Sequence, residues 1–369
     1  MKKTLTLYGW HLSYFTGKVL CYLRYKGIPF TDQPVNAYTL MWRIKKETGA
    51  MVMPVITTPD GEWIQDSTVI IERLEAQFAH RQVTPTTPVQ QFSASLMEAW
   101  GDEWWVPIAM HTRWSYSENY ALFEHDAGRA LLPYFPAFLQ RRVVARVANK
   151  LRGMLHSVGV RPEQFALLNQ WTSDMLDLLD AHFSQHDFLF GGHPTIGDFG
   201  LVGTMYGHLG RDPWPARELI AKRPALQAWL ERMRHPDQHN TPALLDGDQI
   251  APTLAPVFKA IFAEFLPMLE GINQQAKTAL LTLPAGKALP RVLADVACPM
   301  GQGTFHRGAL PYTLWMAQRT LDIYHAMPAH AQAAVREWLS EVGGTAFLTL
   351  DIPRLRRSGL RVVPEEQAV

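Results

Sequence analysis

The feature that most constrains this chain is the stretch Thr4 to Ile28, TLTLYGWHLSYFTGKVLCYLRYKGI, where two periodicities meet. Leu5 and Leu7, closed by Tyr8, alternate as a buried strand does. From Phe15 the period lengthens: Phe15, Val19, Tyr22 and Leu23 fall at i, i+4, i+7 and i+8, one face of a helix that Gly27 ends. Ser13 and Thr16 therefore stand where a strand hands over to the N-terminus of a helix. Unpaired N–H groups and the positive end of the helix dipole gather there, which suits an anion or a thiolate.

The segments that follow fix the sheet. Ile28 to Val35 reads as a second strand, with Pro29 at its start where a proline is tolerated. Tyr38 to Thr48 reads as an irregular helix. Val55-Ile56-Thr57 and Glu62-Trp63-Ile64 flank Pro59-Asp60-Gly61 as a hairpin, and Gln65-Asp66-Ser67 opens a helix with the apolar face Ile70, Ile71, Leu74 and Phe78. The order βαβαββα, with one right-handed crossover and one hairpin, predicts a four-stranded mixed sheet with helices on its faces, the thioredoxin-like plan.

Three short pieces of this unit resemble the glutathione S-transferase family, each on its expected element: LSYFTGKV, Met53-Pro54 and Asp66-Ser67. The first looks like the serine-type (theta-, phi- and tau-like) classes and places Ser13 at the catalytic serine. The second is similar to the family's Val-Pro, whose proline is cis, so the resemblance implies that the Met53 backbone pairs with the cysteinyl part of glutathione as a short added strand. The third is similar to the Glu/Gln-Ser that holds the γ-glutamyl group, with Ser67 offering donors to its carboxylate and Asp66 receiving its ammonium. The resemblance thus implies glutathione as co-substrate. Its thiolate, stabilised by the Ser13 hydroxyl, attacks a small apolar electrophile. Tyr8 and Tyr14 are rival hydroxyl donors, ranked below Ser13. Arg43, Lys45 and Lys46 are positional candidates for the glycine carboxylate. Ser13 and Thr16 occupy both positions of a CxxC, which argues against disulfide exchange.

Residues 81–89 read as a linker between a 1–80 thioredoxin-like domain and an all-helical domain over 90–247. Ser95 to Trp114 is its first strong helix, with a kink expected at Pro107. In a transferase the corresponding helix walls the electrophile site, which makes Trp104, His111 and Trp114 a candidate electrophile pocket; an ordinary aromatic core is the competing reading. The basic stripe Arg141, Arg142, Arg146, Lys150 and Arg152 reads as a solvated helix face. Thr195-Ile196-Gly197-Asp198 is a capping box, a folding element by this reading, and Arg223 to Leu230 resembles the family's closing helix. His235 and His239 have an H-x3-H spacing in a loop with no third ligand nearby, so no metal is expected. Residues 248–369 form an appended helical extension around a loop, Gly301 to Gly308, from which His306 and Arg307 are placed to overhang the site. The fold class is α/β plus all-α.

Composition narrows the function further. The chain has 369 residues, 47% of them hydrophobic, which supports more than one core. A net charge of +1 gives no reason to expect nucleic acid or a membrane surface as a partner. Two cysteines, Cys21 and Cys298, make no disulfide framework and fit a reducing compartment. MKKTLTLYGW has no apolar segment behind its lysines, so no signal peptide is expected, and no uninterrupted apolar run is long enough to span a bilayer. A cytoplasmic enzyme is expected, and the resemblance implies a homodimer. The alternative is a transferase-like binding module with little turnover, suggested by the extra lobe.

Overall fold

The structure, a computed structural model, describes residues 4–237 and 242–365. The N-terminal elements are β1 (Leu5–Gly9), α1 (Tyr14–Lys26), β2 (Phe30–Pro34), a π-helical turn over Thr39–Ile44 running into α2 (Lys45–Thr48), β3 (Val55–Thr57), β4 (Trp63–Gln65) and α3 (Ser67–Gln77). The sheet order is β2-β1-β3-β4. β1 pairs parallel to β2, and the β1–β3 and β3–β4 pairs are antiparallel. This is the expected thioredoxin-like sheet. Gly27 closes α1 with φ 65, a left-handed turn that glycine enters without a side-chain clash.

Helices follow: α4 (Pro88–Trp104), α5 (Val106–Trp114), α6 (Glu118–Leu131), α7 (Ala137–Arg152), α8 (Phe165–Phe183), α9 (Ile196–Thr204), the single turn α10 (Pro213–Pro215) and α11 (Pro224–Arg234). The kink foreseen at Pro107 is a full break. α4 stops at Trp104 and a new helix starts at Val106, which leaves Pro107 in a first turn where its missing N–H costs nothing. The tail holds α12 (Ala255–Ala260), α13 (Leu266–Leu280), β5 (Asp295–Met300), β6 (Gly303–Gly308), α14 (Tyr312–Ala326), α15 (Ala329–Val342), β7 (Leu355–Ser358) and β8 (Arg361–Pro364).

The tail differs from the expected helical extension around a loop. Gly301 to Gly308 is not a loop: β5 and β6 are an antiparallel hairpin from Asp295↔Gly308 to Met300↔Gly303, turned at Gly301 with φ 53. The signal was the alternating burial of Asp295–Met300, which a helical reading of the flanking runs obscured. β7 and β8 make a second hairpin. The run Pro252–Leu280 has the length and composition to cross a bilayer, but 56% of its most apolar window is buried, as in the core helix of a globular protein.

The chain gathers into two compact units that cut across the sequential boundaries. One comprises residues 1–83, 108–154 and 199–242; the other comprises 84–107, 155–198 and 243–369. In the first, Tyr8, Trp10, Leu12, Val35, Ile44 and Val55 at one end of the sheet bury themselves against Phe123, Ala127 and Leu131 of α6 and Val144 and Ala148 of α7. Burial of this kind is worth about 1.5–3 kcal/mol per large side chain. In the second, Trp100, Trp104, Trp105 and Trp171 pack edge to face at centroid distances of 5.2 to 6.4 Å. The tail packs here too. Glu98 of α4 pairs with Arg319 of α14 at 3.1 Å, and Glu103 accepts the Thr313 hydroxyl at 2.6 Å.

Candidate functional site

Strand register brings the three sequence-predicted pieces to one end of the sheet. Tyr8 lies opposite Val55, so β1 ends beside Met53-Pro54, where β3 begins. Val55 in turn lies opposite Gln65, so β4 ends there too and delivers Asp66-Ser67. The Met53–Pro54 bond is cis, as the resemblance implied. Ser13, Met53, Pro54, Asp66 and Ser67 thus share the edge at which α1 and α3 start.

Ser13 is the N-cap of α1, half-buried, and its Oγ accepts the Thr16 N–H at 3.4 Å, a long and weak cap. The hydroxyl hydrogen has no partner among the described residues. Asp66 caps α3 with Oδ1, accepting the N–H groups of Thr68 at 3.1 Å and Val69 at 3.3 Å. It does so at φ 85, a conformation of order 1–3 kcal/mol above the relaxed backbone for a side-chain-bearing residue. The two cap bonds hold it there. Ser67 is buried, the first residue of that helix.

A clamp around Arg113, weighed from sequence as a residue that reaches the ligand, instead holds the loop before Ser13. Arg113, 4% exposed, grips Asp212 with Nε at 2.8 Å and a second nitrogen at 3.0 Å, and donates to the Leu12 carbonyl at 2.8 Å and to the Gly207 carbonyl. Burial raises the Asp212 carboxyl, and the guanidinium pulls it back. Gly207 is needed there: a Cβ on it would lie 2.9 Å from the Ser13 carbonyl carbon. The loop from Trp10 to Ser13 is further tied by the Ser13 N–H to the Trp10 carbonyl at 2.8 Å, and by the Trp10 indole N–H to the Val35 carbonyl at 2.8 Å.

Next to that loop lies a cavity of about 410 Å³. Gly9 to Leu12 and Pro34 form one wall, and His125, Asp126, Arg129, Ala130 and Arg211 the other. His11 is fixed on both sides. Its Nε2 donates to Asp32 at 2.6 Å, and its Nδ1 accepts the Tyr206 hydroxyl at 3.4 Å. Burial tends to raise the Asp126 carboxyl, but hydrogen bonds from His125 and Arg211 outweigh it and hold the group below its ordinary value.

The remaining candidates are dispersed. Trp104 is fully buried in the second unit, ringed by Trp171, Phe265 and Phe305 in an edge-on core. His111 is buried, its Nδ1 paired with Ser115 Oγ at 2.9 Å. Trp114 packs on Phe123 at 4.8 Å beneath Arg152. Neither belongs to the cavity lining. Tyr8 stacks on Trp63 at 5.2 Å, and Tyr14 is buried beside Phe15 and His208. Arg43 lies over the Trp63 ring at 5.7 Å, while Lys45 and Lys46 are exposed. Arg307 does not overhang a site: it is 1% exposed within the second unit and donates to the Glu103 carbonyl at 3.2 Å. Both cysteines are buried, and burial pushes each thiol up to about 12. His235 is exposed, and His239 lies outside the described residues. Among the described residues no group of His, Cys, Asp and Glu has the makings of a metal site.

Residues 7–82 match the N-terminal domain of glutathione S-transferases, and residues 173–232 match the C-terminal domain. These two matches support a glutathione S-transferase assignment for the segments they cover. No curated protein matches it. Among solved structures, it is similar to the β-etherase LigF from Sphingobium sp. strain SYK-6, with 22% identity over 62% of this chain and 94% of that one and a TM-score of 0.43. A glutathione S-transferase from Rhodospirillum rubrum F11 shares 15% identity over 67% and 96%, with a TM-score of 0.40. One from Methylobacterium radiotolerans JCM 2831, in complex with glutathione sulfonate, shares 19% over 65% and 99%, with a TM-score of 0.39. These likenesses are loose, and the family assignment rests on the two domain matches.

Proposed function

We propose that the chain is a serine-type glutathione transferase in which Ser13 stabilises the glutathione thiolate. The observation that carries this reading is a half-buried hydroxyl with an uncommitted hydrogen at the positive end of α1, aligned by strand register with Met53-Pro54 and Asp66-Ser67. In this reading the Met53 backbone pairs with the cysteinyl unit, and Asp66 and Ser67 receive the γ-glutamyl ammonium and carboxylate. The sulfur, kept ionised by the Ser13 O–H, forms a bond to an electrophilic carbon while the leaving group departs with its electron pair. The cavity beside Gly9 to Leu12, rather than the Trp104, His111 and Trp114 set, takes the electrophile. A reducing cytoplasm and a homodimer complete the proposal; the two inert, unpaired thiols suit such a compartment.

Calorimetric titration with glutathione tests the binding half, and no heat at millimolar ligand would end it. Conjugation of a generic aryl halide tests the chemistry. The expected loss on Ser13→Ala is roughly a hundredfold in kcat/KM. Equal negligible rates in both proteins, with glutathione bound, would instead support a binding module.

A further inference from the structure

We infer that the second substrate of this chain is an electrophile that carries a carboxylate, bound by Arg129. The inference rests on the transferase reading and deepens it. It starts from the charges that face the cavity. Its lining is mostly apolar by surface, yet five of its ten residues, His11, His125, Asp126, Arg129 and Arg211, are titratable or cationic. Each carboxylate in the wall is already matched. Asp126 accepts from His125 at 2.9 Å and pairs with Arg211, and Asp32, behind His11, is held at 2.6 Å.

Arg129 is different. It projects from α6 into the same lining, three residues beyond Asp126, and has no ion pair or hydrogen bond among the described residues. Arg129 is exposed, so its guanidinium is open to a ligand at the mouth of the cavity. A ligand carboxylate there gains a charge-assisted contact, bidentate where geometry allows. Trp10, Leu12, Pro34 and Ala130 supply the apolar remainder, enough to cover one flat ring. The carboxylate then lies toward α6, and the reacting carbon toward the loop that ends at Ser13.

The test uses para-fluoro-meta-nitrobenzoate and its methyl ester, two aryl fluorides that differ only in the charge of one substituent. The glutathione thiolate adds to the ring carbon bearing fluorine, the C–S bond forms, and fluoride leaves with the C–F pair. Each rate is normalised to the uncatalysed reaction with glutathione. With the acid, Arg129→Gln is expected to lower kcat/KM roughly tenfold or more, mostly through KM, and Arg129→Lys to recover part of it. With the ester the same variants are expected to lose less, so the acid-to-ester ratio of kcat/KM falls in Arg129→Gln, and an equal loss with both substrates overturns the inference. Added salt should weaken the acid's advantage and leave the ester unchanged. Turnover of the ester with no turnover of the acid, or an acid rate indifferent to Arg129→Gln, overturns this inference alone. Turnover of neither substrate overturns the transferase reading and this inference with it.

Discussion

Two helix starts in this molecule use the same residue chemistry to opposite ends. At α9, Asp198 is 0% exposed and accepts three donors: the Leu189 N–H at 3.0 Å, the Thr195 N–H at 2.9 Å and the Thr195 hydroxyl at 3.1 Å. Every polar group there is satisfied from within, so the start of α9 is a folding device. At α1, Ser13 makes one long bond, stays half-buried and keeps its donor hydrogen uncommitted. Its rigidity is supplied from outside, by Arg113 on the Leu12 carbonyl and by Gly207 beneath it. A cap that closes on itself stabilises a fold, whereas a cap held open by its neighbours has a hydrogen bond left to give.

The largest effect should come from the outside support. Arg113→Leu leaves Asp212 charged, buried and alone, and is expected to cost roughly 3–5 kcal/mol in denaturant unfolding. A loss below about 1 kcal/mol would mean that the clamp is dispensable. Asp198→Ala should cost about 3 kcal/mol, since it orphans two buried N–H groups, while glutathione affinity of the folded fraction is retained. Loss of binding in properly folded variant would erase the contrast between the two helix starts.

Acid sharpens the same contrast. His182 packs beside the box, donating from Nε2 to the Phe188 carbonyl at 3.3 Å and accepting the Thr253 hydroxyl at 2.7 Å. Burial, aided by nearby His186, depresses it from 6.5 to about 4 against the pull of the Phe188 carbonyl. Its neutral form is the one the fold holds, so the fold loses stability as pH falls below 6.5, where the unfolded chain takes up the proton, and the loss levels off near 4. At pH 5 this amounts to about 2 kcal/mol. His182→Gln should flatten that limb of the stability–pH curve; an unchanged slope would exclude His182 as its source. Least of all, Ser13→Ala should change stability by at most about 1 kcal/mol, because its cap is weak. A larger loss would make Ser13 a structural cap like Thr195.

Local pattern made the N-terminal unit legible. The strand-to-helix change at Phe15, the Gly27 stop, the hairpin around Asp60-Gly61 and the Met53-Pro54 and Asp66-Ser67 pieces all lie on the elements expected for them. Pairings across long stretches of chain were not legible. Arg113 meets Asp212 from 99 positions away, and Arg211 meets Asp126 from 85 away, so no periodicity announces either. The tryptophans between 100 and 114 left two readings open for a related reason. Aromatic density marks burial equally well in a pocket wall and a core, and only packing shows that Trp104 is sealed among Trp171, Phe265 and Phe305. In the tail, the Gly301 turn between alternating residues was a hairpin signal lost among helical runs.

The central claim concerns one hydrogen bond, and the ionisation of bound glutathione reports on it. Ultraviolet difference titration of the thiolate, on wild type and Ser13→Ala saturated with glutathione, measures that ionisation directly. The account predicts a wild-type thiol titrating about one unit or more below the ordinary value of about 8.5, and a return toward that value in the variant. A bound thiol that titrates at its ordinary value in wild type, or a depressed one unmoved by loss of the Ser13 hydroxyl, would contradict it.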